Sequence, residues 1–509
     1  MRNKISKASL FHIFMTLLLL THIITMYVFL QHTSIDNDDM CQLDVVLANS
    51  LPKILELLLE TDNNPPLFTL LSAIGARIVP YGSGNLKLLS QLFLTIATGL
   101  MGYYAKHIAG YLCGIVTAIM CATSTLLVYC CADAFRPYGL LFLTGALSLI
   151  AYLHRRQHNE DRTSLILYGM AITAMAYTHY FGILTCLALF LFDVVLYIRR
   201  KTKLETGLPY IAAGVCYIPW LIPVVKYKLA SIGSFWPQIP TLKSLYTNCY
   251  SKYFDSSVNI VIFCIFLIVL FHSFYQNIQL LNHTKLHPKE CYPKQISEKH
   301  TFSFENLALC LWVPFFVTIL DFIYSSIINP TGSMWVERYF IVLYPYSFLL
   351  VGISWSYLTE KLIEKFNFTL YKYFPTLVLI GFMALQVYQF FVTCQYVGQT
   401  HEQPYEQVCD YLVLQEDFFD EGTAFLPTFN HQKRAYYYFF TKKNTITLPK
   451  IHWEKYPVED MNDLEQYNII YVAEISTELN QDTITYLQTY FEQIPLTNSW
   501  GIEKWRRVQ

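Results

Sequence analysis

Apolar positions in this chain run in blocks of about twenty, and a block of that length spans the hydrocarbon of a bilayer as one helix. The first block, 10–30, follows Arg2, Lys4 and Lys7. It is longer than a signal-peptide core and ends without a small-residue cleavage site, so it predicts a retained helix with a cytoplasmic N-terminus. Further blocks fall near 86–105, 108–130, 137–153, 164–181, 182–198, 207–225, 258–275, 306–325, 338–358 and 372–395. Eleven spans place everything after them on the outer side. The loops agree: 18 Lys and Arg fall on segments assigned to the cytoplasm, Arg155, Arg156, Arg199, Arg200 and Lys201 among them, against 9 on outer segments before residue 396. Two outer segments are long. Residues 31–85 carry many carboxylates and an apolar stretch, 51–59, too short to span, which predicts a helix lying in the interface. Residues 226–257 are rich in Tyr, Trp and Pro, as a loop at the membrane surface is.

After residue 395 the pattern changes to short segments of mixed type. Residues 404–414, 432–440 and 483–491 read as helical, and 423–426, 468–473 and 500–508 as extended. The fold class expected is therefore an all-α polytopic membrane domain, 1–395, followed by a small α/β domain outside the cytoplasm, 396–509. No internal repeat is evident, which counts against transporter folds built from repeated halves.

Composition sharpens this picture. Of 509 residues, 54% are hydrophobic and 14% charged, about half the charge density of a soluble protein. The net charge of −1 conceals a split: 27 Lys and Arg against 20 Asp and Glu before residue 396, then 9 against 17. Neither half has the basic stripe that nucleic acid requires. Of 13 cysteines nine lie in apolar stretches, and no CxxC occurs, so no zinc or redox motif is signalled.

Candidate chemistry gathers on one face. The first outer loop reads Ser34-Ile35-Asp36-Asn37-Asp38-Asp39-Met40, and carboxylates so close need water, a cation or a metal. Three more clusters fall on the same side of the membrane: Asp133 with Arg136, His179 with Tyr180, and Glu337 with Arg338. Each has a structural reading, such as an Asp133–Arg136 pair, an interfacial histidine or a helix-start charge pair. Ionisable groups at membrane depth are nevertheless costly and mark function by default. An acid beside arginines at a membrane surface suits glycosyl transfer from a lipid-linked sugar phosphate. The phosphate leaving group needs cations rather than a general acid, and the acceptor hydroxyl needs one carboxylate base. One base and one displacement invert the anomeric centre, whereas retention needs a second carboxyl as nucleophile.

The same residues resemble the GT-C membrane glycosyltransferases, the broad group containing protein O-mannosyltransferases, aminoarabinose transferases and their bacterial relatives. Asp38 matches that family's first-loop Asp, and Asp39 stands where Glu is usual. Asn64-Pro65-Pro66-Leu67 resembles its His-Pro-Pro-Leu element with Asn for His, and Arg136-Pro137-Tyr138-Gly139-Leu140 resembles Arg-x-Tyr-Ala-Leu. The acid usual two residues before that Arg is Ala134 here, with Asp133 one position off. Thr178-His179-Tyr180-Phe181, Tyr217-Ile218-Pro219-Trp220 and Arg338-Tyr339-Phe340 follow in the family's order. The resemblance covers roughly residues 10–360.

It implies Asp38 as catalytic base, with Asp39 supporting it or binding a divalent cation, which two adjacent Asp leave open. It implies Arg136 and Arg338 holding the donor phosphate and His179 and Tyr180 lining the site, with Asp133 near them. Glu337 is either an acceptor contact or an ion partner of Arg338. The donor would be a polyprenyl-phosphate sugar and the acceptor a glycan, lipid or protein. The membrane would be a bacterial cytoplasmic membrane with a periplasmic C-terminal domain, or else the endoplasmic reticulum. Two alternatives stand beside it: a transporter or flippase, for which Asp321 inside a span would be the telling residue, and a non-catalytic relative of the family.

Overall fold

A computed structural model of the chain describes residues 6–508, apart from 32, 34, 36, 49, 62–63, 80–81, 159, 229–236, 238, 247–303, 366–368, 400–404, 428–432, 447–451, 454–457, 459, 474–478 and 497–500. Asp36, most of the loop 226–257, the expected span 258–275 and the basic stretch after it lie outside the described residues.

The chain opens with helix α1 (Lys7–Leu30), whose N-terminus is capped by the Ser6 hydroxyl accepting from the Ser9 amide. Three short helices follow in the first long loop: α2 (Asn37–Val46), α3 (Leu51–Thr61) and α4 (Leu67–Gly75). The expected interfacial helix is α3, with Ile54 and Leu58 buried and Leu51 exposed. Helix α5 (Ser83–Thr123) joins two expected spans, and at Ala109 and Gly110 its backbone leaves the helical range. There the chain folds back, because a methyl group added at Gly102 would meet Ala118, which a straight helix holds about 24 Å away. Gly110, at φ +84°, takes the left-handed conformation that the reversal requires.

Next come α6 (Tyr138–Gln157), α7 (Arg162–Ala176), α8 (Tyr180–Ile198), α9 (Leu208–Lys228), α10 (Phe304–Ile323), α11 (Tyr344–Lys365) and α12 (Thr369–Gln399). Among the described residues six helical segments are long and apolar enough to cross a membrane: Lys7–Leu30, Ser83–Thr123, Tyr180–Ile198, Leu204–Lys226, Glu305–Ile328 and Glu337–Tyr357. The expected eleven spans are not reached by that measure, in part because Ser83–Thr123 holds two and 258–275 is not described. The core of the bundle is the packing of α5 against α1, α6 and α11.

At the end of the bundle marked by Arg155, Arg156, Lys201 and Glu305 the structure departs from a simple reading of the loops. Arg156 and Lys201 both reach Glu305, each at 2.6 Å. Arg155 is fully buried and paired with Asp193, which also accepts hydrogen bonds from Tyr152 at 2.7 Å and Tyr210 at 2.6 Å. Its guanidinium lies over the rings of Tyr152 and Tyr168. Arg155 is thus a structural cation joining α6, α7, α8 and α9.

The C-terminal part contains helix α13 (Tyr405–Val413), strand β1 (Thr423–Pro427), helix α14 (Lys433–Tyr438) and strands β2 (His452–Trp453) and β3 (Ile469–Ala473). Helix α15 (Gln481–Tyr490) and strands β4 (Phe491–Ile494) and β5 (Ile502–Arg507) complete it. The sheet order is β2-β1-β3-β5-β4, with β1 parallel to β2 and β3, and β5 antiparallel to β3 and β4. Two strands escape the sequence reading. β2 is two residues long, and Phe491 begins β4 where a helix was expected, because pairing with β5 overrides the local pattern. The period of two along β1 and β3 gives the sheet two buried faces. Ala424, Leu426, Ile470 and Val472 pack with Leu487 and Trp505, while Phe425, Tyr471 and Ala473 join the large core shared with the helical bundle.

Candidate active site

Asp38 and Asp39 occupy the first turn of α2, where carboxylates are favoured by the amide groups of a helix N-terminus. Successive residues on a helix diverge by about 100°, so two adjacent carboxylates face different ways. Asp39 turns inward, is buried, and accepts from the Phe135 amide at 3.0 Å. Asp38 turns outward with its side chain 51% exposed, and its Oδ2 accepts from Arg338 Nη2 at 2.9 Å. Arg136 donates to the backbone carbonyl of Asp38 at 3.0 Å. Residues 38, 136 and 338, far apart in sequence, therefore meet at one point.

Lys87 and Thr33 account for Asp133, which does not pair with Arg136. Asp133 Oδ1 accepts from Lys87 Nζ at 2.8 Å and from the Thr33 hydroxyl at 2.6 Å. Lys87 is buried one turn into α5 and also donates to Thr33 at 2.8 Å. This cluster fixes the turn from which Phe135 and Arg136 reach α2. Gly84 permits it: a Cβ there would sit 2.3 Å from Gln31 Cα, so only glycine lets the end of α1 approach the first turn of α5.

His179 precedes α8 and caps it, Nδ1 accepting from the Phe181 amide at 3.2 Å, which places the imidazole proton on Nε2. Burial, with the Arg136 and Arg338 guanidiniums nearby, lowers its pKa to about 3, so it is neutral at physiological pH. Its ring meets Tyr339 at 4.7 Å between centroids, and Tyr339 stacks on Tyr138. Arg338 lies 5.6 Å over the Tyr138 ring. Thus His179 forms the aromatic floor beneath the arginines. Tyr180 follows it, half-buried, and Glu337 opens the turn that carries Arg338, also half-buried. Of the Pro-Pro-Leu element, Leu67 donates to the Tyr177 carbonyl at 3.0 Å, joining the start of α4 to the His179 turn.

Asp321 stands apart. It is buried in α10 and accepts from Ser325 at 3.2 Å, and Ser325 in turn accepts from the Met334 amide at 2.9 Å. It supports the loop before Glu337 and is absent from the Asp38 cluster.

Sequence reasoning missed Lys87, Thr33 and Arg77. A lysine inside an otherwise apolar helix start was a usable signal for the first. Arg77 donates to the carbonyls of Val46, Ala48 and Ala73, holding the C-terminal ends of α2 and α4 together. No sequence pattern marks that role. As for a divalent cation, Asp38 and Asp39 are engaged with different partners, and among the described residues no three His, Cys, Asp or Glu side chains gather as a metal site.

A family model described as dolichyl-phosphate-mannose-protein mannosyltransferase matches residues 63–227. No curated protein matches the chain in sequence. Among solved structures, ArnT from Cupriavidus metallidurans in the apo state aligns with a TM-score of 0.57 at 11% identity, covering 97% of this chain and 98% of that one. The same protein bound to undecaprenyl phosphate aligns at 0.51 and 12% identity over the same shares. The fold, a helical bundle with apolar membrane-length helices and a small C-terminal sheet, is the GT-C fold that ArnT has. The chain is an integral membrane protein of that fold.

Proposed function

We propose that the protein transfers a sugar from a polyprenyl-phosphate donor to an acceptor hydroxyl, with inversion, on the outer face of its membrane. The observation that carries this reading is the half-exposed Asp38 carboxylate held by Arg338, with Arg136 on the same residue's carbonyl. The matched family description and the undecaprenyl phosphate bound by ArnT support the donor class.

Chemically, Asp38 takes the proton of the acceptor hydroxyl as its oxygen attacks the anomeric carbon. The bond from that carbon to the phosphate oxygen breaks on the opposite face, and the polyprenyl phosphate leaves as an anion. Arg338 and Arg136 hold that charge, which develops in the transition state. The Arg338–Asp38 pair suits this exchange. Both partners are partly exposed, so the pair is worth at most about 1 kcal/mol, and the singly charged phosphodiester of the donor replaces the carboxylate at low cost. Donor binding therefore frees Asp38 to act as base. Asp39, spent on the Phe135 amide, fixes the first turn of α2.

The test uses full-length protein in nanodiscs with a panel of polyprenyl-phosphate sugars, following release of free polyprenyl phosphate. Asp38→Asn keeps an oxygen for Arg338 but cannot accept a proton, so turnover falls by roughly 10²–10⁴-fold while donor binding holds. Undiminished turnover in Asp38→Asn moves the base elsewhere. Absence of both donor binding and turnover in the unaltered protein rejects the transferase reading and favours a transporter.

A further inference from the structure

Among the described residues, two contacts of the C-terminal α/β part with the bundle lead to Asp38. Glu406, in the first turn of α13, accepts from the Ser83 amide at 3.1 Å and from the Ser83 hydroxyl. Ser83 opens α5, so the carboxylate closes a helix N-terminus whose own preceding residue, Gly82, has no side chain to cap it. Lys87 lies one turn further on, and Ser83 and Lys87 are both buried. Lys87 holds Asp133, and the Asp133 turn supplies the Phe135 amide to Asp39 and the Arg136 guanidinium to the Asp38 carbonyl. Independently, α14 packs on α2, the helix that carries both aspartates. Its buried Tyr436 and Tyr438, with Phe439 and Phe440 beyond, belong to the same continuous core as Met40 and Leu43 of α2.

We propose that Glu406 is a positioning residue: through the first turn of α5 and the Lys87–Asp133 pair, the C-terminal part sets the placement of α2 and hence of Asp38. The C-terminal part is then a clasp over the site rather than a separate appendage. A chain of contacts becomes coupling only when perturbing one end moves the other. Part of the prediction, the turnover arm, rests on the function proposed above; the exchange arm does not.

The experiment compares full-length protein in nanodiscs with Glu406→Ala and Glu406→Gln. Amide hydrogen exchange is read over 83–88, 37–46 and 133–138, and turnover over a range of donor concentrations. Glutamine retains an oxygen for Ser83, whereas alanine removes it. Expected for Glu406→Ala is exchange faster by roughly tenfold in all three segments, with kcat reduced and the KM for donor nearly unchanged, and most of each effect rescued in Glu406→Gln. Faster exchange confined to 83–88, with 37–46 and 133–138 unaltered, would make Glu406 a local cap and overturn the proposal. Ser83→Ala, which removes the hydroxyl side of the same contact, decides the question where Glu406→Ala does not fold. If the unaltered protein turns over no donor while exchange is coupled, the functional reading fails and the clasp stands.

Discussion

At the scale of single residues, the site depends on two neighbouring aspartates being given different surroundings. One is buried on a backbone amide and one is offered to an arginine, and the helical rotation between them makes the difference. The charged residues here were legible in the sequence as members of one face, because the spans fixed which loops lie together. Their partners were not: Asp133 goes to Lys87, and Arg136 goes to a carbonyl. His179 carries a test at this scale. Its folded pKa, about 3, lies below the ordinary imidazole value near 6.5, so unfolding takes up a proton between those limits. The stability it contributes is complete above about pH 6.5 and is lost as pH falls toward 3, the loss reaching about 2 kcal/mol by pH 5. Asn caps helices as well as or better than other residues, so His179→Asn keeps the cap and removes the titration. Melting temperatures at pH 7.5 and pH 5 should fall further for the unaltered protein than for His179→Asn. Equal falls would show that the imidazole does not titrate across unfolding.

At the scale of elements, α2 is a ten-residue helix suspended between two sets of charges. Its N-terminal turn is held by Phe135, Arg136 and Arg338, and its last carbonyls by Arg77. A helix this short is not stable alone and takes its order from such contacts. Arg77→Ala leaves the aspartates untouched but releases the C-terminal end. Exchange of the 43–48 amides should quicken and turnover drop several-fold, with Asp38 chemistry otherwise intact. Unaltered protection over 43–48 would show that Gln42, bonded to Thr69 at 2.8 Å, suffices to hold α2. Helix α2 leaves no mark in the pattern of apolar positions, because polar residues interrupt it throughout and four carboxylates crowd the stretch from 36 to 44.

At the scale of the molecule, charge is concentrated at both ends of the bundle, and the two ends serve different purposes. The Asp38 end is partly exposed and exchangeable, while Arg155–Asp193 is sealed among three tyrosines. Removing one partner of such a buried pair costs about 3–5 kcal/mol, whereas replacing both with apolar residues of similar size is often neutral or stabilising. Thermal unfolding of Asp193→Leu, Arg155→Met and the double variant tests this: each single change should lower the melting temperature sharply, and the double variant should recover most of the loss. Additive losses would show that the tyrosine hydrogen bonds, not the ion pair, join the four helices.

The arrangement of this protein was determined by its sequence wherever a single physical quantity decides. The length of an apolar run fixes a span, the asymmetry of basic loops fixes expected sidedness, and the short apolar runs in 423–426 and 468–473 fix strands. The GT-C fold was expected from the family resemblance that Asp38, Asn64–Leu67, Arg136–Leu140 and Arg338–Phe340 carry, not from the pattern of apolar positions. Only the tertiary structure decided the pairings. Lys87 with Asp133, Arg155 with Asp193 and Glu406 with Ser83 join residues 46, 38 and 323 positions apart. A hydrogen bond depends on the relative placement of two helices to within about an ångström, and local propensity carries no information at that range.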